Sequence, residues 1–286
     1  MRNVSVKACA KINIGLLITG RRSDGYHTLE TVFAPIDWFD TLDFSLSDRI
    51  SMSCSNIDLP SDDSNLCIRA AKALRDYSGK NAGVEIGLVK RVPFGAGLGG
   101  GSSDAAATLR VLNELWEVNA PSAELHRLAV KLGADVPYFL EMKGLAFAAG
   151  IGEELEELSL SLPWHVVTVF PEVQVPTVWA YKNFRPKFER PVPDLRTLVR
   201  RLCTDRDTGV LDVFENDFAP VVFDHYPVVR EVRDGLLESG AVFASLSGSG
   251  SAVYALFDEP SGAKAAAERL QAFGRVNVTP AGFRME

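Results

Sequence analysis

The chain has 286 residues, of which 47% are hydrophobic, and it carries a formal net charge of -7. This length and apolar content allow a large buried core and favour two lobes over one small module. The acidic balance argues against a nucleic-acid backbone as the main partner, although local donors in an acidic protein can still bind a small phosphorylated ligand.

Cysteine and histidine spacing argues against structural zinc and a disulfide framework. The four cysteines form no CxxC pair and the four histidines form no HExxH motif,. Polar residues interrupt the apolar stretch at the N-terminus, MRNVSVKACAKINIGLL, so it predicts neither a signal peptide nor a membrane span,. We therefore expect a cytoplasmic protein with no membrane partner.

The N-terminal part of the chain has the pattern of β-strands. Every even position from 4 to 16 is apolar, while Lys7, Lys11 and Asn13 stand at odd positions, which is the period of a half-buried strand,. Lys11 and Asn13 should therefore point to the same face. Asp24-Gly25 is a turn signal, and LETVFAPIDW after it predicts another strand,.

Helical patterns begin after these strands. NLCIRAAKALRDYSG predicts a helix that ends at Gly79, and VEIGLVKRV predicts a strand,. SSDAAATLRVLNELW predicts a helix with serine N-cap candidates, and a second helix should run from Ser122 to about Leu132 and end at Gly133,.

The last part of the chain again mixes strands and helices. WHVVTVF predicts a strand, FASLSGSGSAVYALF predicts a strand pair, and PVVREVRDGLLESG and SGAKAAAERLQAF predict helices,. The mixture favours an α+β fold over a regular βα alternation. A crossing between lobes near residue 155 divides the chain into 1–155 and 156–286.

The most informative stretch is VPFGAGLGGGSSDAAA, which has five glycines in the seven positions from 95 to 101. Glycine loses more backbone freedom on folding than other residues, so this concentration needs a reason. The N-terminus of a helix presents unpaired N–H groups, and glycines before it let the backbone close around phosphate oxygens. The order strand, glycine loop, helix therefore predicts a phosphate-binding loop, with a tightly packed turn as the alternative.

Three well-known phosphate loops fit this stretch poorly. No lysine follows the glycines as GxxxxGK[ST] requires,. Gly95, Gly97 and Gly100 fit GxGxxG. A dinucleotide fold also needs an acidic residue about 20 residues later, after a second strand. That residue is missing here, because Glu114 and Glu117 lie within the predicted helix. Neither HRD nor DFG, which a protein kinase requires, occurs in the sequence,.

The stretch PFGAGLGGGSSDAA resembles the second motif of the GHMP small-molecule kinases, a family that includes galactokinase, homoserine kinase and mevalonate kinase. AKINIGL with GRRSDGYHTLETVF, GADVPYF, and SLSGSGSAVYALF resemble other motifs of this family, in the expected order. The resemblance implies a two-lobed α+β fold, with an N-terminal lobe similar to domain 2 of ribosomal protein S5. The C-terminal lobe would be a ferredoxin-like α/β sandwich.

The same resemblance implies an ATP-dependent transfer of a phosphoryl group to an alcohol. It implies that Asp135 takes the proton of the attacking hydroxyl and that Lys11 sits beside it. An adjacent cation keeps a carboxylate ionised and stabilises charge that develops on the nucleophile. The ATP-binding residues implied are Pro93, Phe94, Gly95, Ala96, Gly97, Leu98, Gly99, Gly100, Gly101, Ser102 and Ser103.

Mg²⁺ is expected to accompany ATP. It usually keeps several waters and takes one or two protein oxygens, so few protein ligands are needed. Ser103, at the predicted helix start, is a candidate. Glu124 lies eleven residues before Asp135, a spacing similar to that of a metal-binding acid in related kinases, but an acid in a first helical turn can equally be a capping charge,.

The acceptor implied by the resemblance is the 2-hydroxyl of a cytidine diphosphate-linked methylerythritol. Tyr26 and His27 would lie at the cytosine, and Tyr181 would stack on its other face, since two aromatic rings can enclose a flat base. Asn13 is expected to contact the same substrate.

Other functions stay open at this point. Homoserine or mevalonate could be the acceptor within the family. A catalytically silent nucleotide-binding member would keep the loop and lose the base, but Lys11 and Asp135 are both present. A dinucleotide oxidoreductase is a third alternative, which a comparison of ATP and NAD as thermal stabilisers would separate.

Overall fold

The computed structural model describes residues 3–285. They form two compact units whose segments alternate along the chain: unit 1 contains residues 3–10, 39–92 and 99–142, and unit 2 contains residues 11–38, 93–98 and 143–285. The expected division into 1–155 and 156–286 is a division along the sequence, and it stays a prediction.

Two long strands, β1 (Asn3–Arg21) and β2 (His27–Ser47), run from one unit into the other. The strand predicted for 4–16 is therefore confirmed and is longer than expected. Strand β2 joins LETVFAPIDW and DTLDF without a break.

Unit 1 combines strands with four helices. The C-terminal part of β2 pairs antiparallel with β4 (Gly83–Val89), and β3 (Ile50–Cys54) pairs parallel with β4. The helices are α1 (Leu66–Ser78), α2 (Gly100–Leu115), α3 (Ser122–Leu132) and α4 (Val136–Glu141). Helix α2 packs against the other three helices of this unit, and most of its side chains are buried.

Glycine ends two of these helices where the sequence predicted. Gly79 follows α1 with a φ of 66°, a left-handed conformation that glycine adopts without Cβ strain, and its N–H donates to the carbonyl of Arg75,. Gly133 follows α3, whose observed bounds agree with the predicted ones.

Unit 2 contains a four-stranded antiparallel sheet with the order β10-β7-β9-β8. Its strands are β7 (His165–Phe170), β8 (Phe243–Leu246), β9 (Val253–Phe257) and β10 (Arg275–Thr279). In addition, β5 (Ala146–Ala149) pairs antiparallel with both the N-terminal part of β2 and β6 (Glu154–Glu157). The predicted strand pair around the SGSGS turn is β8 and β9.

Five α-helices belong to unit 2. They are α5 (Thr177–Asn183), α6 (Leu195–Asp205), α7 (Ala219–His225), α8 (Pro227–Glu238) and α9 (Pro260–Leu270). Alternate side chains of the sheet, among them Val167, Val169 and Val253, form one buried cluster with apolar side chains of α5, α7, α8 and α9. This arrangement buries one face of the sheet and confirms an α+β fold.

Helices α4, α5, α6 and α7 were not predicted from the sequence. Helices α5 and α7 are only seven residues long and lie next to prolines, so a helical period is hard to recognise in them,. Between residues 3 and 285, no helix is both long and apolar enough to cross a membrane.

Candidate active site

Lys11 and Asn13 project from the same face of β1, as their spacing predicted. Both are almost completely buried, and the Lys11 ammonium donates to Asn13 Oδ1 at 2.6 Å and to the Gly97 carbonyl at 3.2 Å. The Asn13 amide in turn donates to Thr31 Oγ1 at 3.1 Å, on β2. A buried ammonium needs such acceptors, because burial without partners disfavours its charge.

The first half of the glycine loop, Pro93–Leu98, belongs to unit 2 and is fixed by its backbone. Leu98 O accepts from the backbone N–H of Lys11 at 3.0 Å, and Ala96 O accepts from that of Ala252 at 3.0 Å. Gly97 has a φ of 78°, and a Cβ placed on it would lie 2.1 Å from the Ser247 carbonyl oxygen. Only glycine fits there, because both the dihedral angle and the close approach exclude a side chain.

The partner of this half-loop is the turn between β8 and β9, residues 247–252, which we call the SGSGSA turn. Ser247 Oγ donates to the Gly97 carbonyl at 2.9 Å, so this carbonyl accepts from both Ser247 and Lys11. A Cβ on Gly248 would lie 3.1 Å from the same carbonyl oxygen. Two glycine-rich segments of unit 2 thus pack backbone against backbone beside Lys11.

The second half of the loop, residues 99–103, belongs to unit 1 and starts α2. The helix begins at Gly100, with Gly99 as its N-cap at a φ of 69°, and no side-chain hydrogen bond caps it within the described chain. The prediction that a serine caps this helix is wrong, because Ser102 and Ser103 already lie inside its first turn. A helix start without a side-chain cap leaves its first N–H groups for a ligand or for water.

A buried ion cluster lies beneath this second half. Lys90 Nζ donates to Asp40 Oδ2 at 2.5 Å and to Asp104 Oδ2 at 2.8 Å, and all three side chains are at most 3% exposed. Asp40 Oδ1 also accepts from the backbone N–H groups of Arg91 and Val92, at 2.6 and 2.8 Å. The cluster therefore connects β2, the end of β4 and the first turns of α2.

The two carboxylates of this cluster are not equivalent. Asp104 Oδ1 is buried and has no hydrogen-bond partner among residues 3–285. Burial, opposed by the neighbouring Lys90 charge, raises the pKa of the Asp104 carboxyl to about 7. Burial disfavours the charge of Lys90, but its two carboxylate neighbours raise the pKa of this ammonium overall. Asp104, with fewer donors, is the member that takes up a proton.

Asp135 immediately precedes α4 in unit 1. It is half-buried, and no side-chain hydrogen bond caps α4 within the described chain. The chain on both sides of Asp135 packs against α2. Helix α4 contacts α2, and a Cβ placed on Gly133 would lie 3.9 Å from Ser102 Oγ.

The two metal candidates also belong to unit 1. Ser103 is buried in the first turn of α2. Glu124 lies in the first turn of α3, and its carboxylate accepts from Arg127 at 2.8 Å. Residues 3–285 contain no cluster of three or more His, Cys, Asp or Glu side chains arranged to hold a metal. A hydroxyl and a carboxylate are oxygen donors of the type that Mg²⁺ binds, so the two candidates fit this ion by chemistry.

An aromatic cluster in unit 2 contains the predicted base-binding residues. The His27 ring stacks on Tyr181 of α5, with the centroids 5.1 Å apart and the planes at 17°, and Phe184 and Phe188 also flank His27. Tyr26 is 62% exposed, and its N–H donates to Asp24 Oδ1 in the predicted turn. Burial and the nearby Arg21 charge lower the pKa of the His27 imidazole, which is therefore neutral at pH 7.

Several residues around these sites were missed from the sequence. Thr31, Ser247, Lys90, Asp40 and Asp104 were not singled out, because their partners lie far away along the chain. One signal that could have pointed to Ser247 is the glycine content of the SGSGSA turn, because glycine is typical of a close backbone approach, but it does not reveal the partner.

Known proteins resemble this chain over its whole length. Residues 65–142 match the model of the GHMP kinases N terminal domain, and residues 193–276 match that of GHMP kinases C terminal. A 4-diphosphocytidyl-2-C-methyl-D-erythritol kinase from Chlorobaculum tepidum is 75% identical over 286 residues, which cover 100% of both chains.

Solved structures give the same result. The crystal structure of a 4-(cytidine 5'-diphospho)-2C-methyl-D-erythritol kinase has a TM-score of 0.83 and 37% identity, covering 98% of this chain and 99% of its own. Homoserine kinase from Cytophaga hutchinsonii has a TM-score of 0.75 at 19% identity, covering 99% of this chain and 96% of its own. The latter likeness concerns the fold alone.

Proposed function

Because this chain belongs to the 4-diphosphocytidyl-2-C-methyl-D-erythritol kinases of the GHMP family, we propose that it phosphorylates the 2-hydroxyl of 4-diphosphocytidyl-2-C-methyl-D-erythritol with ATP. The products are ADP and the 2-phosphate, an intermediate of isoprenoid biosynthesis. The observation that carries this proposal is the full-length similarity to kinases of that name.

ATP is bound, in this proposal, by the glycine loop from Pro93 to Ser103. The absence of a side-chain cap at the start of α2, within the described chain, supports an anion site there, because uncapped N–H groups and the helix dipole both favour phosphate,. The left-handed glycines Gly95, Gly97 and Gly99 support it too, since they leave backbone without side chains on the loop,.

Asp135 is proposed to accept the proton of the 2-hydroxyl. The hydroxyl oxygen then bonds to the γ-phosphorus, and the bond from this phosphorus to the bridging oxygen of ADP breaks. The half-buried position of Asp135 at the start of α4 supports this role.

Lys11 is proposed to stabilise negative charge on the reacting oxygen atoms. Its ammonium is buried and is oriented by two acceptors, Asn13 Oδ1 and the Gly97 carbonyl. Charge that is oriented before the reaction costs no reorganisation in the transition state.

Mg²⁺ is proposed to bind with ATP, and the residues that would hold it are Ser103 and Glu124. When bound, this ion neutralises phosphate charge during the transfer. Glu124 already pairs with Arg127, so it would have to exchange this partner.

The cytosine ring is proposed to stack on Tyr181, with Tyr26 on the opposite face and His27 at the polar edge of the base. Tyr181 can carry a stacked ring, since the His27 ring lies on one of its faces, and the cytosine would have to displace His27 from that face. Asn13 is also proposed to contact the substrate.

Release of ADP tests the proposal directly. The purified chain is assayed in three separate reactions, each containing ATP and one acceptor: the cytidyl substrate, homoserine or mevalonate. We expect turnover with the cytidyl substrate only. Turnover with homoserine or mevalonate instead would refute the acceptor, and no turnover with any of the three would refute the kinase reaction.

The Asp135→Asn variant tests the proposed base. An amide keeps the shape but accepts a proton poorly, so kcat should fall at least ~10²-fold while the affinity for ATP changes little. Asp76→Asn, on the exposed surface of α1, is the matched control and should retain wild-type turnover. Wild-type turnover in Asp135→Asn would remove this residue from the mechanism.

A further inference from the structure

Asn216 is a buried side chain in unit 2 that uses every hydrogen-bonding group of its amide. Its Nδ2 donates to the carbonyls of Leu246 and Gly248, both at 2.9 Å, and its Oδ1 accepts from the N–H of Phe218 at 2.9 Å. It is 5% exposed. The two carbonyls flank Ser247, at the start of the SGSGSA turn.

The backbone around Asn216 is itself anchored to β1. Leu16 N–H donates to Glu215 O at 2.8 Å, and Asp217 N–H donates to Leu16 O at 2.9 Å. The buried Asp217 carboxylate accepts from the N–H of Ile18 at 2.7 Å and from both terminal nitrogens of Arg190. A short segment of chain is thus fixed beside the strand that carries Lys11.

The contacts continue from Asn216 to the Lys11 ammonium. Asn216 holds the backbone on both sides of Ser247, whose Oγ donates to the Gly97 carbonyl. The Lys11 ammonium donates to the same carbonyl. The position of that carbonyl therefore depends on the SGSGSA turn, and the turn depends on Asn216.

We propose that Asn216 is a positioning residue for phosphoryl transfer, which acts through Ser247 and the Gly97 carbonyl to orient the Lys11 ammonium. This inference rests on the function proposed above. Asn216 itself lies outside the reaction, and its effect reaches the reacting atoms through Lys11.

The chemistry of the site requires an amide. Two carbonyl oxygens face the Asn216 Nδ2, so this atom must be a donor of two hydrogen bonds. An aspartate has the same shape, but its ionised oxygen accepts only and would repel both carbonyls.

The test compares Asn216→Asp with the wild-type chain in the ADP-release assay. We expect kcat to fall at least about tenfold, because Lys11 loses its orientation, while KM for the cytidyl substrate stays within about twofold. The matched control is Asn277→Asp on β10, since the Asn277 amide also donates to a backbone carbonyl, that of Asp37, at 3.0 Å. The control should keep kcat within about twofold of wild type, whatever its effect on the unfolding temperature.

Ser247→Ala tests the path from Asn216 to Lys11 and remains informative if Asn216→Asp does not fold. It removes one donor to the Gly97 carbonyl and should lower kcat several-fold. If Asn216 acts through Ser247, the fall in kcat of the double variant relative to wild type should be smaller than the product of the two single falls.

The outcomes separate this inference from the proposed function. If the wild-type chain releases no ADP, the proposed function fails. If the wild type is active and folded Asn216→Asp has a lowered unfolding temperature but unchanged kcat, Asn216 is only structural and the inference is refuted. Wild-type kcat in Ser247→Ala refutes it as well.

Discussion

The two halves of the glycine loop are held in place by opposite kinds of interaction. In unit 2, Pro93–Leu98 is fixed by neutral backbone groups, and at Gly97 the backbone of Ser247 approaches so closely that no side chain fits. In unit 1, residues 99–104 are supported by buried charges, with Lys90 between Asp40 and Asp104. Gly97 tolerates no added atom, whereas the ion cluster does not tolerate the loss of its central cation.

This difference has an energetic basis. A close backbone approach fails when a Cβ is added, because interiors are densely packed and backbone cannot move aside cheaply. A buried ion cluster contributes little net stability when it is intact, but the loss of one member leaves an uncompensated charge. The two halves should therefore respond differently to substitution.

Lys90→Met should have the largest effect on stability. It removes the one cation between two buried carboxylates, and breaking a buried pair in this way costs about 3 to 5 kcal/mol. Urea unfolding measures the change. A matched control is Lys72→Met, whose ammonium forms an exposed pair with Asp63 and should contribute at most about 1 kcal/mol,. Equal effects of the two substitutions would show that the cluster does not support unit 1.

Gly97→Ala should have the next largest effect. The new Cβ meets the Ser247 carbonyl and requires a left-handed dihedral, so we expect a loss of about 2 to 3 kcal/mol of stability,. The loss of ADP-release activity should be greater than the loss of stability implies, since the Gly97 carbonyl also holds Lys11. Gly262→Ala in α9, where the Cβ meets only a ring carbon at 3.7 Å, is the control. Full stability in Gly97→Ala would mean that the two glycine segments do not pack as described.

Asp104→Asn should change the pH dependence of stability. Because the folded-state pKa of Asp104 is raised to about 7, the folded chain binds more protons than the unfolded chain between its ordinary pKa and pH 7. The wild type should therefore lose stability in this window as the pH rises, by at most about 1.4 kcal/mol per pH unit from this group. Asp104→Asn should lack this contribution. Parallel pH profiles for the two proteins, measured by urea unfolding from pH 4 to 8, would contradict the assignment.

Gly101→Ala should have the smallest effect, and of opposite sign. This glycine lies inside α2 with an ordinary helical dihedral, and its Cβ would meet only Leu66 Cδ1 at 3.7 Å. Alanine should therefore stabilise the chain by about 0.5 to 1 kcal/mol. Thermal unfolding in the absence of nucleotide measures this. If Gly101→Ala destabilised the chain as much as Gly97→Ala, this would contradict the claim that the two halves of the loop respond differently to an added Cβ.

The unit-2 half of the glycine loop could be predicted from the sequence better than the ion cluster that supports the unit-1 half. Glycines reveal a close backbone approach by their own identity, and the alternation of β1 placed Lys11 and Asn13 on one face. The ion cluster joins residues 40, 90 and 104, which lie on three different elements, so no local pattern predicts it.

The start of α2 and the surroundings of Asn216 show two further limits. The serines suggested a cap by residue type, but the chain begins the helix at the glycines, where a left-handed N-cap fits. Asn216 lies 30 residues from the carbonyl of Leu246 that it binds, and only tertiary structure brings the two together. The roles of Lys11, Asp135, Ser103 and Glu124 stay predictions.

If a nucleotide phosphate binds at the uncapped start of α2, as we propose, the folding of this protein is coupled to the supply of that nucleotide. A side-chain cap usually contributes about 1 kcal/mol to a helix, and α2 begins without one in the described chain and without an acid in its first turn,. An anion bound at these N–H groups would supply the missing stabilisation, by an amount that grows with the logarithm of its concentration. The lifetime of the folded chain in a cell would then follow the supply of nucleotide, since a fall in nucleotide concentration would lower the free energy of unfolding.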